Sequence, residues 1–440
     1  MKKTQNPLAL TSLGLQHVLA MYAGAILVPL TVGRTLNLST QELAYLVAID
    51  LLTCGIATLL QAWNNRWFGI GLPVVLGSSF VAVTPMIAIG SQYGISAVYG
   101  AIIAAGLFIV LFANFFGKIV KLFPPVVTGT VVTMIGLSLV PSAVRNMGGG
   151  VGSEEFGSIE NLALAFGVLA FILFLNRFFT GFLRALSVLL GIVAGTIVAA
   201  CMGMVNLSGV KEASWLHIPT PFYFGVPTFE VGPILTMILV GVVIIIESTG
   251  VFLALSKVCE RDLNDQDFVK GYRAEGLAIM LGGIFNAFPY NTFAQNVGLV
   301  QLSKVKTKNV VVVAGIILIM LGLVPKIAEL TTIVPTPVLG GAMIVLFGMV
   351  ISSGIKMLSN VDFSNQNNLL IIACSLSLGL GVTVVPDLFA QLPAALKIFV
   401  SDGIITGSIA AILLNLIFHS SETKNRPMVT FKKTDYSESK

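Results

Sequence analysis

The chain has 440 residues, 56% of them apolar and only 10% charged, with a mean hydropathy of +0.94. A soluble domain carries about 25% charged residues, so these proportions exclude an ordinary soluble protein and point to a polytopic membrane protein. The formal charge of +5 would suggest an anionic partner only in a soluble domain; here its distribution matters more than its sum, and no nucleic-acid partner is expected.

The amino terminus, MKKTQNPLAL, has two lysines but no separate apolar region followed by a small-residue cleavage site, and reads as a cytoplasmic start to the first span. Apolar runs follow near 12–33, 43–62, 69–90, 95–117, 122–141, 160–177, 185–205, 231–255, 270–288, 290–303, 309–327, 333–355, 366–384 and 398–418. Most suit the ~20 residues that cross a hydrocarbon core. Two do not. The run at 69–90 is interrupted by Gly69, Gly71, Pro73, Gly77 and the pair Ser78-Ser79. The run at 290–303 is too short, and its segment QNVGLVQLSK, Gln295 to Lys304, puts two amides and a glycine into apolar sequence. Irregular backbone at membrane depth is tolerated only where protein or a water-filled cavity satisfies it. The two broken runs are therefore expected to meet around a narrow polar space suited to a planar ligand.

Alternating sides after each run, from a cytoplasmic start, puts 20 Lys and Arg on one side and 5 on the other. That bias follows the positive-inside rule and predicts 14 crossings with both termini in the cytoplasm. The tail from Ser420, rich in Lys, Ser and Thr, reads as a cytoplasmic extension. The halves also repeat: PVVTG at Pro125 to Gly129 recurs as PVLGG at Pro337 to Gly341, and Pro73 and Pro289 open the two broken runs. Overlaid from those prolines, Ser79 falls on Gln295 and Phe80 on Asn296. Seven crossings per half is an odd number, so the halves must be inverted relative to each other.

Few ionisable residues lie inside the runs, where a charged side chain costs at least ~2.5–3.5 kcal/mol. Glu247, in VVIIIESTGVF, is centred in its run with no basic residue nearby and is the leading candidate for function, against a purely helix-packing carboxylate. Glu275 follows Arg273 by two residues, so an interfacial salt bridge competes with a site role. His17, beside Gln16, either titrates or links helices. Asp50 has no partner visible in sequence. Phe80, beside the first broken segment, offers a stacking face. Cys54, Cys201, Cys259 and Cys374 match no metal or redox spacing, and histidines at 17, 217 and 419 form no metal cluster, so neither a metal site nor an enzyme is expected. The absence of a Gly-rich phosphate loop with Lys points to secondary transport.

These motifs resemble the nucleobase/ascorbate transporter family, the nucleobase:cation symporters, and within it the bacterial xanthine permeases. The resemblance covers roughly residues 12 to 418. The family signature reads here as Gln295, Asn296, Val297, Gly298, then LVQL, with Ser303 in the usual threonine place and Lys304 last; the family's QH pair is Gln16-His17, its eighth-span carboxylate Glu247, and its ninth-span acid, usually Asp, Glu275. The resemblance implies an all-α polytopic membrane protein of about 14 spans in a 7+7 inverted repeat, with short antiparallel β-strands in spans 3 and 10. The first repeat would occupy 1–207, an extracellular loop 208–230, the second repeat 231–418 and a cytoplasmic tail 419–440. Spans 1–4 and 8–11 would form a core domain, and spans 5–7 and 12–14 a gate domain.

By the same resemblance, Glu247, Gln295 and the backbone around Ser79 and Phe80 bind the substrate, while His17, Glu275, Asn296 and Gly298 support the site or couple protons. The implied function is uptake of xanthine by proton symport with elevator-type alternating access, in the bacterial cell membrane, by a homodimer needing no cofactor but the proton. Gln295 favours a purine, since similar uracil carriers tend to have Glu there. One departure stands out: several relatives carry a titratable residue four positions after the eighth-span glutamate, where this chain has Val251. Uric acid or uracil uptake by the same family, and an anion transporter of the same fold, are the alternatives; the last should place basic residues or free helix N-termini at the breaks.

Overall fold

A computed structural model describes residues 7–118, 123–150, 152–205, 210, 214–215, 219–393, 400 and 402–419. The expected tail, apart from His419, and parts of the expected loop at 208–230 lie outside the described residues. In the first half, α1 (Pro7–Thr35), α2 (Thr40–Trp63), β1 (Leu76–Ser78), α3 (Val83–Tyr93), α4 (Ile95–Lys118), α5 (Pro125–Met147), α6 (Ile159–Phe178), α7 (Gly181–Ala185) and α8 (Ser187–Cys201) follow in order. The second half has α9 (Val231–Cys259), α10 (Asp265–Ile284), β2 (Tyr290–Thr292), α11 (Ala294–Ser303), α12 (Asn309–Gly322), α13 (Pro325–Thr332), α14 (Thr336–Leu358), α15 (Gln366–Val384) and α16 (Gly403–His419).

Local chemistry explains many of the boundaries. Ser39 and Glu42 form a capping box at the start of α2, and Asn264 and Asp267 form another at α10, each satisfying backbone N–H groups that have no partner within the helix. Prolines at the first turn start α5 and α14, where a missing N–H costs nothing.

Among the described residues, eight helices are long and apolar enough to cross a membrane, or nine if the bent pair α12–α13 is one span. The other expected runs hold shorter or more charged elements: β1 with α3, α8, α10, β2 with α11, and α16. The 79° bend between α12 and α13 was not anticipated in the run at 309–327. Its cause is Pro325, which drives the preceding Val324 out of the helical region (φ −112°, ψ 88°).

The expected short strands are present. Antiparallel β1 and β2 pair Leu76 with Thr292, Gly77 with Asn291 and Ser78 with Tyr290. Superposing one strand on the other, Leu76 on Tyr290, brings Ser79 onto Phe293 and Phe80 onto Ala294, so the overlay drawn from the prolines is two residues out of register. Strand pairing, not proline position, fixes the alignment. Gly77 is required by a close approach: a Cβ there would meet the Phe293 ring at 2.6 Å.

Helix packing follows a regular scheme. Helix α5 packs along α14, α2 along α12, α4 along α10, α6 along α8 and α15 along α16; α1 meets α12, and α9 meets α4. At two of these crossings small residues let backbones touch, Gly55 against Gly315 and Gly106 against Gly276. At one end of the molecule Arg261 donates to the Ile70 carbonyl, Lys308 to the Trp63 carbonyl, Lys257 to Asn360 and Lys306 to Glu260, gathering basic residues from several loops.

Candidate functional site

The strand pair and its flanking helices build the site. A cleft with about 320 Å³ of non-atom space, including its open mouth, is lined by Phe80, Val132, Glu247, Asn291, Thr292, Phe293, Ala294, Gln295, Val350 and Ser353. Glu247 comes from the middle of α9, Asn291 and Thr292 from β2, Gln295 from the first turn of α11, and Val350 and Ser353 from α14. The broken tenth run thus supplies five consecutive lining residues, because a strand followed at once by a helix N-terminus can turn its side chains into a space that a continuous helix would fill.

Glu247 is buried, and its Oε2 accepts from Asn291 Nδ2 at 2.5 Å. Gln295 is half-buried on the same cleft and makes no side-chain hydrogen bond to a described residue. Phe80 forms a wall, stacked with Phe293 (centroids 6.3 Å, 15°) and edge-on to Phe347 (5.4 Å, 86°). Its other side borders a second, largely apolar space lined by Leu27, Val28, Thr31, Leu139, Met343 and Phe347 among others. A flat ligand in the cleft would therefore meet an aromatic wall, a carboxylate and two primary amides, with no basic residue on the lining.

The remaining residues picked out from sequence lie around this cleft. Ser79 is fully buried and absent from the lining; its amide already donates to the Pro289 carbonyl at 2.8 Å, and its hydroxyl has no partner. His17 meets Asn296, whose Nδ2 lies 3.0 Å from His17 Nδ1 and 3.2 Å from the His17 carbonyl, so the pair ties α1 to α11 behind the site. Glu275 sits one layer back, accepting from the Ser248 hydroxyl, which itself accepts from Thr292 at 3.2 Å. No salt bridge joins it to Arg273, whose guanidinium reaches Asn114 and the Trp67 ring instead. Gly298 faces open space: a Cβ there would meet nothing within 4 Å. Val251 is buried in the core.

Two features escaped the sequence reading. Asp50 does have partners: Ser78 and Tyr290 both donate to its carboxylate, the latter at 3.1 Å, and Tyr290 also bonds Thr53. Ser78 and Tyr290 face each other across the strands, so one carboxylate on α2 holds both strands. Asn291 was not singled out, although PYN at 289–291, an amide directly after the break, was the available signal. Among the described residues no group of three or more His, Cys, Asp or Glu could hold a metal ion.

A family model described as a permease family matches residues 8–388. The uric acid permease PucJ of Bacillus subtilis (strain 168) is 66% identical over 418 residues, 94% of this chain and 93% of that protein. The xanthine permease of the same organism is 59% identical over 408 residues, 93% of each. The transmembrane domain of a cyanobacterium bicarbonate transporter, BicA, superposes with a TM-score of 0.61 over 91% of this chain and 97% of that one, at 16% identity, a likeness of fold alone.

Proposed function

We propose, for a chain that belongs to the permease family of nucleobase/ascorbate transporters, that it carries an oxidised purine, xanthine or uric acid, into the bacterial cell by proton symport. It is a multi-pass bacterial membrane permease rather than an enzyme. The observation that carries the purine reading is the meeting of Glu247 and Gln295 on one cleft beside Phe80. A carboxylate accepts ring N–H groups, a primary amide pairs an adjacent C=O and N–H, and the phenyl wall covers the ring face. Relatives named for uric acid and for xanthine, similar over nearly the whole chain, support the same substrate class. The α11 N-terminus at the break is the one feature an anion reading would use, and the acid on the lining, with no base beside it, weighs against that reading.

Proton coupling is assigned to Glu247, with His17 and Glu275 as supporting groups. A carboxylate that alternates between charged and neutral forms as it faces each side would link proton and purine movement.

The mechanism proposed is an elevator. Spans 1–4 and 8–11 would move as a core domain against a gate of spans 5–7 and 12–14, in two inverted repeats that together make 14 spans. The packing scheme supports this reading: exchanging the halves turns the α2–α12 contact into α10–α4, α1–α12 into α9–α4, and α6–α8 into α15–α16, while α5–α14 maps onto itself. Basic residues gathered at one end support a cytoplasmic placement of that end and of both termini. Dimerisation through the gate rests on the family resemblance.

The deciding experiment is uptake of radiolabelled xanthine and uric acid into cells lacking their own purine carriers, with unlabelled uracil, hypoxanthine and guanine as competitors and a protonophore control. Uptake that the protonophore abolishes and uracil leaves unchanged is expected. Uptake blocked by uracil, or none of either purine, would remove the reading. Concentrative, pH-dependent uptake by a Glu247→Gln variant would remove Glu247 from the proton path.

A further inference from the structure

We infer that Asn291 is a specificity-determining residue: the amide that holds Glu247 also presents its own carbonyl oxygen to a ring N–H of the bound purine. The inference rests on the purine reading above and adds a group to the site. Asn291 is 3% exposed, lies on β2 opposite Gly77, and lines the cleft between Glu247 and Gln295. Its Nδ2 is taken by Glu247 Oε2, which fixes which end of the amide is free. The free end, Oδ1, is buried and has no partner. Other buried side-chain atoms without a partner, such as Ser79 Oγ, Glu275 Oε2 and Asn296 Oδ1, belong to residues that do not line the cleft; Asn291 Oδ1 belongs to one that does.

A buried acceptor left unpaired is costly, and a ligand N–H that satisfies it gains accordingly. Glu247 and Asn291 together form two acceptors about one amide apart, and the matching ligand edge carries two neighbouring N–H donors. Purine-2,6-diones have such an edge, with the N3–H and N9–H groups nearly parallel on either side of the ring carbon C4. Adenine and hypoxanthine, with an unprotonated ring nitrogen in one of those places, do not.

The test is inhibition of xanthine uptake by 1-, 3-, 7- and 9-methylxanthine in the wild type, Asn291→Thr and Asn291→Val. Threonine keeps a hydroxyl to hold Glu247 and suits a strand, but lacks the carbonyl; valine lacks both. In the wild type, methylation of the nitrogen that faces Asn291 should weaken inhibition about tenfold. In both variants that one penalty should fall to about twofold while those at the other nitrogens stay as they were. Identical methylation patterns in wild type and variants would overturn the inference and leave Asn291 as a support for Glu247. If valine fails to reach the membrane, threonine decides alone. Wild-type protein that takes up neither xanthine nor uric acid would instead sink the purine reading, and this inference with it.

Discussion

Single residues in this chain divide by whether they face the cleft. Gln295 does, and its neutral amide avoids a second acid beside Glu247. Gln295→Glu should therefore reduce xanthine uptake more than tenfold and raise inhibition by uracil, measured in the same competition assay; unchanged uptake would show that the amide does not read the base. Gly298 belongs to the same sequence motif but faces open space within α11. A helix-interior glycine is about 0.5–1 kcal/mol less favourable than alanine. Gly298→Ala is expected to raise the thermal stability of the solubilised protein slightly and to leave xanthine uptake within about twofold. A loss beyond that would mean that the glycine is needed in a state of the transport cycle with a different neighbour at this position.

The elements that matter most are the two three-residue strands, which could not hold together alone. They are held from outside: Asp50 on α2 accepts from Ser78 of β1 and Tyr290 of β2, while Glu275 on α10 accepts from Ser248, which bonds Thr292 of β2. Asp50→Ala would remove the acceptor that two buried hydroxyls share, leaving Ser78 only a long bond to the Ala25 carbonyl and Tyr290 only Thr53, at a cost of about 1–3 kcal/mol in all. A clear drop in the melting temperature of detergent-solubilised protein is expected, with Asp50→Asn, which retains a carbonyl acceptor, recovering part of it. Equal stability of Asp50→Ala and wild type would show that the strand pair needs no such clamp. That Asp50 was without a visible partner in sequence has a simple reason. The hydroxyls that hold it lie 28 and 240 residues away, and no local periodicity reports contacts at such separations.

At the scale of the whole molecule, the joint between α1 and the α13–α14 connection is fixed by a half-buried cation. Arg34, near the end of α1, donates to the carbonyls of Thr332 (3.0 Å) and Val334 (2.7 Å) and to the Thr336 hydroxyl (3.1 Å). The carbonyls of Thr332 and Val334 lie at the end of a helix and in the link beyond it, where no intrahelical donor reaches them. In the elevator reading this link joins core to gate, so Arg34 sets its geometry. Arg34→Ala is expected to lower the maximal rate of xanthine uptake several-fold while KM stays within about twofold, measured by initial rates at equal surface expression. A change in KM without a change in rate would assign Arg34 to binding instead.

Composition, run length and the bias of basic residues determined by themselves that this is a polytopic membrane protein with two broken runs, because hydrocarbon imposes one length and one satisfied backbone on every span. The motif around Gln295 identified the family and pointed to Glu247 and Gln295. Tertiary structure alone decided the rest: the strand register, two residues from the proline overlay; the clamp on Asp50; and the place of Asn291 beside Glu247. Each depends on which distant segments pack together, and local sequence encodes a segment's preference for helix or strand without naming its partner.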